Sequence, residues 1–241
     1  MAQSFNIRTP KLIITIDGPA GSGKSTTARL LGKKLNYLYL DTGAMYRTIT
    51  LKVIHAKLKK NQVEAIIALL KETEIDIKYK DGNSQIFLDE LNVTDEIRTP
   101  KVDKEVSWVC QIPEIRDRLV KMQREFGVNG GIVAEGRDTG TVVFPDADVK
   151  YYLTANLEVR AKRRLDEQKM RGENKSLEDI LIEIERRDKM DSERELSPLM
   201  IADDTIEIDT TDLTIEEQVN ILYKKVIGYL QQLEEDDRLD Y

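Results

Sequence analysis

One cysteine, one histidine and one tryptophan are all that this 241-residue chain has of those three residue types. Cys110, being alone, excludes an internal disulfide and any multi-cysteine metal site. His55, being alone, excludes multi-histidine zinc ligation, and a Ser-His-Asp triad would rest wholly on it. Its setting among Leu51, Ile54 and Leu58 reads as structural, and Cys110 reads as a small packing residue. Long apolar runs are missing too. The longest cover residues 12–14 and 65–70, against the ~20 that a membrane span needs. The N-terminus carries a short apolar stretch before Asp17 and no signal-peptide layout, so a cytoplasmic protein without membrane contact is expected. Positive charge is also short: 37 Lys and Arg against 44 Asp and Glu leave a net −7. That balance argues against broad electrostatic binding to nucleic acid. An anionic ligand must be met by a local group of cations. The remaining composition, 40% hydrophobic and 34% charged, suits one large domain or one domain with a smaller insert.

Five short apolar or alternating stretches read as buried parallel strands: 11–17, 37–41, 131–135, 149–153 and 205–209. Helical patterns separate most of them, which marks an α/β domain with helices on both faces of the sheet. Ligands of such sheets sit at the carboxyl ends of the strands. Chemistry is therefore expected at 18–25, 41–47, 135–141 and 154–164. Residues 74–91 break the alternation. Ile75, Ile77 and Tyr79, then Ile86 and Leu88, have period two around Asp81-Gly82-Asn83, a strong hairpin-turn signal. A third strand at 91–93 and helices near 102–109 and 113–126 are expected to follow. Thr214 and Glu217 form a capping box. Beyond it Ile215, Val219, Leu222, Val226, Tyr229 and Leu233 make an apolar stripe. The acidic tail 234–240 is expected to fray.

Gly18-Pro19-Ala20-Gly21-Ser22-Gly23-Lys24-Ser25 matches G-x-x-x-x-G-K-[ST], after a strand and before a helix at 26–35. Such glycines let successive backbone N–H groups turn toward phosphate oxygens, and the helix N-terminus adds partial positive charge. Residues 18–26, through Thr26, are thus the expected ATP cradle. Lys24 is expected to span the β- and γ-phosphates, and Ser25 to offer its hydroxyl to Mg²⁺. A switch GTPase would add Asn-Lys-x-Asp and Asp-x-x-Gly. Asn174-Lys175-Ser176-Leu177 lacks the final Asp, and no Asp in the chain has Gly three residues later. A kinase for a phosphorylated small acceptor predicts arginines at strand ends and a mobile basic lid.

Four motifs stand in order: Ile16-Asp17 leading into the cradle, Asp41-Thr42-Gly43-Ala44-Met45-Tyr46-Arg47, Glu135-Gly136-Arg137-Asp138-Thr139-Gly140-Thr141, and Asp191-Ser192-Glu193-Arg194-Glu195-Leu196-Ser197-Pro198-Leu199. Together they resemble the bacterial cytidylate kinases, P-loop nucleoside monophosphate kinases, over about residues 11 to 227. The hairpin insert at about 74–93 resembles the piece that sets that family apart. Glu135 stands where Asp is frequent, Met200-Ile201 replace a usually basic pair, and Trp108 and Cys110 are bulkier than usual beside the presumed base pocket.

The resemblance implies a three-layer P-loop fold: a five-stranded parallel sheet, a small antiparallel β insert in the acceptor-binding region, and a helical lid. It implies one domain, with a core of 11–41, 128–155 and 196–233, an acceptor-binding region at 42–127 and a lid at 156–195. It implies that Arg47, Arg137 and Arg194 grip the CMP phosphate, with Thr42 and Tyr46 lining the pocket. On its own, Arg47 reads equally as a solvated helix charge. Ser107, Arg116 and Asp138 are implied base contacts, because cytosine asks for a carboxylate at N4 beside a donor for N3 and O2. Ser107 and Arg116 taken alone read as ordinary helix-surface residues. Arg187, Asp191 and Arg194, at i, i+4 and i+7, share one helical face. Spacing alone makes the first two an exposed ion pair; the resemblance implies a hold on the ribose hydroxyls.

Arg160, Arg163 and Arg164 follow the fourth strand on adjacent turns, in a segment with eleven basic and twelve acidic residues between 155 and 195. A nucleic-acid patch would not be so evenly mixed; a lid closing arginines over phosphates is compatible. The expected reaction is in-line attack by a CMP or dCMP phosphate oxygen on the γ-phosphorus of ATP. Lys24, Arg137, Arg160, Arg164 and Arg194 are expected to neutralise the transferring charge with Mg²⁺, and no general base is required. The alternatives are a UMP or dTMP kinase, or a nucleotide-gated adaptor. An adaptor has no need for Arg47, Arg137 and Arg194 together. A monomer is expected.

Overall fold

In a computed structural model that describes residues 10–80, 83–172 and 174–239, β1 (Ile13–Asp17) leads through the glycine loop into α1 (Lys24–Leu35). β2 (Leu38–Asp41), α2 (Thr42–His55) and α3 (Val63–Lys71) follow. Next come β3 (Ile75–Lys80), β4 (Asn83–Leu88) and β5 (Leu91–Asn92), then a 3-10 turn at Glu96–Arg98, α4 (Pro100–Val109) and α5 (Pro113–Gly127). The chain returns through β6 (Ile132–Gly136), a π-helical turn at Thr139–Val143 and β7 (Val149–Thr154). It ends with α6 (Leu157–Met170), α7 (Leu177–Glu193), β8 (Thr205–Asp209) and α8 (Ile215–Leu239).

β1, β2, β6, β7 and β8 form one parallel sheet in the order β2-β6-β1-β7-β8. Period-two alternation divides its side chains between two faces. Ile14, Ile16, Val133 and Leu153 meet Ala28 and Leu31 of α1 and Leu222 and Val226 of α8. On the other face Leu40, Ile132 and Ala134 meet Met45 and Ile49 of α2, and Ile115 and Leu119 of α5. Each fully buried Leu or Ile here contributes about 1.5–3 kcal/mol relative to exposure. This is the expected three-layer α/β architecture. β3, β4 and β5 make a separate antiparallel sheet, whose Ile77, Ile86 and Leu88 join the α2-side core. α6 and α7 pair over a small core of their own around Ala161, Ile180 and Ile184.

Local chemistry sets the ends. Asp41 Oδ1 accepts from Ala44 N at 2.8 Å and starts α2. Thr214 and Glu217 bond reciprocally, Glu217 N to Thr214 Oγ1 at 3.2 Å and Thr214 N to Glu217 Oε2 at 2.8 Å, as the capping box requires.

Four features differ from expectation or lie beyond it. α3 forms over residues that had shown only an apolar run. The chain after β6 winds as a π-turn because Asp17 accepts from Thr139 N at 3.0 Å and Gly140 N at 2.8 Å. α7 ends at Glu193, so Arg194 leaves the helical face it was expected to share and takes φ −65°, ψ 140°. The cause lies just beyond: Ser197 sits at φ 51° before Pro198, and Leu199 N bonds back to Asp191 O at 2.8 Å. The acidic tail stays helical through Leu239 rather than fraying at 234, because Val226 and Leu230 are packed and extending a formed helix is easy. The expected Asp81-Gly82 turn lies outside the described residues.

Candidate active site

At the carboxyl end of β1 the backbone curls tightly enough to need glycine. A Cβ on Gly18 would lie 2.1 Å from Leu153 O, and one on Gly21, at φ +77°, 2.8 Å from Arg160 O. Lys24 Nζ is buried and donates to Pro19 O at 3.0 Å. Burial and the nearby charges of Arg137 and Arg187 push its pKa down, against the pull of Glu135. Ser25 and Thr26 open the first turn of α1 and are exposed.

Ser25 Oγ donates to Glu135 Oε1 at 2.8 Å. Burial and the Asp41 charge push the Glu135 pKa up. A hydroxyl and a carboxylate side by side are hard oxygen donors that fit Mg²⁺, which keeps waters and phosphate oxygens for its remaining positions. Among the described residues there is no cluster of three His, Cys, Asp or Glu that would form an all-protein metal cage.

Across from the cradle, the ends of β2 and β6 and the faces of α2, α4, α5 and α7 bring the expected acceptor residues together. Thr42 Oγ1 donates to Glu135 O at 2.8 Å. Arg47 donates to Ile97 O at 3.3 Å and pairs with Asp103. Arg116 is no helix-surface residue: it is 4% exposed, lies over the Tyr46 ring at 5.3 Å and pairs with Asp138. Arg116 Nη1 also donates to Cys110 O at 3.2 Å, which ties Cys110 to the pocket wall. Asp138 lies 3.4 Å from Arg194 Nη2. Arg137 Nε donates to Asp191 Oδ2 at 2.8 Å. The expected exposed Arg187–Asp191 pair is instead inside the cleft, with Arg187 Nε 3.9 Å from an Asp191 that Arg137 already holds. Burial and the Arg137 and Arg47 charges lower the Arg187 pKa to about 10. Ser107 is half-buried on α4 and makes no side-chain hydrogen bond among the described residues.

The three arginines of α6 divide. Arg160 is buried against the cradle, donating to Ala155 O at 2.9 Å and Ala20 O at 3.0 Å and pairing with Asp188 of α7. Arg164 pairs with Asp103 at 3.0 Å and Glu167 at 2.9 Å. Arg163 does not join them. One residue around the helix, it bonds Thr210 Oγ1 at 3.0 Å and Thr210 O at 2.6 Å, tying α6 to the loop after β8.

Among the buried polar atoms of this cleft without a hydrogen bond are three donors, Tyr46 Oη, Arg187 Nε and Arg194 Nη2, the two arginine nitrogens keeping only loose ion pairs with Asp191 at 3.9 Å and Asp138 at 3.4 Å. Unmet buried donors are costly and rare, and these lie on residues expected to hold an acceptor. Glu135 bonds Ser25 of the cradle and Thr42 of the acceptor side, and Asp188 of α7 accepts from Ala20 N at 3.2 Å, so the cradle and the arginine cleft adjoin. Two surface cavities, about 260 Å³ beside Lys34 and Tyr223 and about 560 Å³ beside Phe87 and Arg118, share none of these residues.

The model of the family described as Cytidylate kinase matches residues 14–227. The chain belongs to the cytidylate kinase family. A cytidylate kinase from Caldicellulosiruptor saccharolyticus is 49% identical over 221 residues, covering 90% of this chain and 98% of that one. One from Bacillus pumilus is 48% identical over 207 residues, covering 86% and 92%. Among solved structures, a shikimate kinase from Bacteroides thetaiotaomicron aligns at TM-score 0.45 with 11% identity, covering 89% of this chain and 98% of that one.

Sequence reasoning missed several residues of this cytidylate kinase fold's cleft. Glu135 had been placed in the strand-end segment 135–141 where chemistry was expected and otherwise noted as a departure, but its contact with Ser25 was not foreseen. Asp17 and Asp41 also end strands. Asp17 pins the turn that carries Asp138, and Asp41 pairs with Arg98 at 2.8 Å. Asp188, next to Arg187, accepts from the cradle's Ala20 N at 3.2 Å. Asp103 gave no signal, being one acidic residue of a mixed-charge helix. His55 is half exposed and contacts Glu96 at 2.9 Å. Among the described residues no helix is long and apolar enough to cross a membrane.

Proposed function

We propose that this chain transfers the γ-phosphoryl group of ATP to CMP or dCMP, giving ADP and CDP or dCDP. The observation that carries the reading is the set of buried donors without hydrogen bonds on Tyr46, Arg187 and Arg194, in an arginine cleft joined to the cradle by Glu135, which bonds Ser25 on one side and Thr42 on the other. A donor-only site would not need that second set.

The loop 18–26 holds the ATP phosphates on backbone N–H groups, and bound phosphate favours the charged form of Lys24 against its burial. Ser25 and Glu135 are the residues that would hold Mg²⁺, which when bound supplies positive charge to the donor phosphates. Arg47, Arg137 and Arg194 grip the acceptor phosphate, for which the forked guanidinium suits two oxygens at once. Their grip aims one phosphate oxygen at the γ-phosphorus. That oxygen is ionised at neutral pH, so positioning and charge neutralisation suffice. Asp138 accepts from cytosine N4 while Arg116 and Ser107 serve its acceptor edge, and Thr42 and Tyr46 wall the pocket. Arg187 and Asp191 hold the ribose hydroxyls.

Residues 156–195 act as the lid on a core of 11–41, 128–155 and 196–233, with 42–127 as the acceptor region. Closure brings Arg160 and Arg164 over the transferring phosphates and excludes water. A coupled ADP-release assay with CMP, dCMP, UMP and dTMP in turn tests the reading. CMP or dCMP should give the highest kcat/KM, and a preference for UMP or dTMP would reassign the acceptor.

A further inference from the structure

Asp103 was assigned to neither phosphate site, yet it contacts one arginine from each side of the cleft. It stands on α4, one turn before Ser107. Its carboxylate lies 2.5 Å from Arg47 Nη2, on α2, and 3.0 Å from Arg164 Nη2, on α6, with a fifth of its side chain exposed. Arg47 is held on a second side by Ile97 O at 3.3 Å. Arg171, at the end of α6, adds a second tie between the same two bodies by donating to Arg98 O at 3.3 Å. Burial pushes the Asp103 carboxyl up, but the Arg47 and Arg164 charges outweigh it and keep the group ionised. Without this carboxylate two guanidinium groups would face each other across a half-buried seam, repelling where the lid must settle. One anion shared by two cations from different bodies also removes their independence. Here Arg164 of α6 and Arg47 of α2 meet on the same carboxylate.

We propose that Asp103 is a positioning residue that couples the acceptor-phosphate grip of Arg47 to closure of the lid through Arg164. The proposal rests on the assignment of Arg47 to the acceptor phosphate. Coupling of this kind is reciprocal: a closed lid presents Arg47 correctly, and an acceptor phosphate on Arg47 favours the closed lid.

The test uses the full chain with saturating ATP, measuring KM for CMP and kcat for wild type, Asp103→Asn, Arg164→Gln and the double variant, each with a thermal melt. Asp103→Asn should raise the CMP KM about tenfold. Arg164→Gln should raise it as well, although Arg164 belongs to the lid, and the double variant should be no worse than the worse single. Asp103→Glu keeps the charge and should recover most of the affinity. An unchanged CMP KM in Asp103→Asn, or losses that simply add in the double variant, would overturn the coupling. If Asp103→Asn does not fold, Arg164→Gln decides, because an unchanged CMP KM there overturns it equally. Wild type that fails to phosphorylate CMP would bring down the acceptor assignment itself, whereas normal wild-type turnover with indifferent variants removes only the role of Asp103.

Discussion

Asp138→Asn separates two roles that the buried carboxylate could fill, because it keeps the side chain's shape and removes its charge. Asp138 is held between Arg116 and Arg194, and all three side chains are less than a tenth exposed. Breaking a buried ion pair by removing one partner costs about 3–5 kcal/mol. Asn retains an acceptor oxygen for Arg116, so the lower end, about 3 kcal/mol, applies. For a chain of this size that lowers Tm by about 6–12 °C. Base selection should change separately. In wild type, uracil sets a carbonyl against the carboxylate and leaves both acceptors unmet, at about 2–4 kcal/mol in all. That corresponds to roughly 30- to 1,000-fold in kcat/KM. An Asn amide can present its N–H₂ to uracil or its oxygen to cytosine, so the CMP/UMP ratio should fall at least about tenfold. Coupled ADP release with both acceptors, beside a thermal melt, reads both effects. A lowered Tm with an unchanged CMP/UMP ratio would reduce Asp138 to a counter-ion for the two arginines and refute the base-reading argument.

Lys24→Ala should lower kcat by at least about 10²–10³, the usual loss when one group that stabilises transition-state charge is removed; a near-wild-type rate would refute its role. Gly18→Ala places a methyl group 2.1 Å from Leu153 O, a backbone atom that cannot step aside. It should cost more than about 3 kcal/mol in urea unfolding, and a wild-type midpoint would show that β1 and β7 are not so closely apposed. Asp191→Asn tests pH linkage. Burial raises the Asp191 pKa, but the Arg137 and Arg187 charges more than reverse it, leaving the group below its ordinary 3.8. Its stabilisation is therefore present above that value and is lost as pH falls through the folded pKa. The Tm gap between wild type and Asp191→Asn should be widest near neutrality and narrow toward pH 3; a constant gap would contradict this.

The core strands were legible because burial on both faces of a parallel sheet favours short apolar or alternating runs such as 131–135 and 149–153, set between helical patterns. The cradle was legible because its chemistry is local: a handful of consecutive residues, backbone donors and a helix start. The acceptor site was legible only in part. Arg137 and Asp138 stand at a strand end, where position alone implies a ligand. Arg116 and Arg187 stand in the middle of amphipathic helices, where periodicity cannot tell a buried arginine from a solvated one. Family resemblance named them; the packing of α5 in the α2-side core buried Arg116, and the place of α7 beside α4 and α6 turned Arg187 into the cleft. Arg163 shows the opposite error. Helical spacing grouped it with Arg160 and Arg164, but one residue's rotation carried it to Thr210 instead.

What the amino-acid order determined by itself was everything governed by neighbours along the chain: the strand and helix periods, the glycine loop, the Thr214–Glu217 cap and the β insert. Interactions between residues far apart belong to the folded molecule alone. Glu135 meets Ser25 across 110 positions and Asp17 meets Thr139 across 122. Asp103 meets Arg47 and Arg164 only because α2, α4 and α6 converge. Hydrogen bonds and ion pairs act over a few ångströms, so which charge neutralises which was decided when the elements packed.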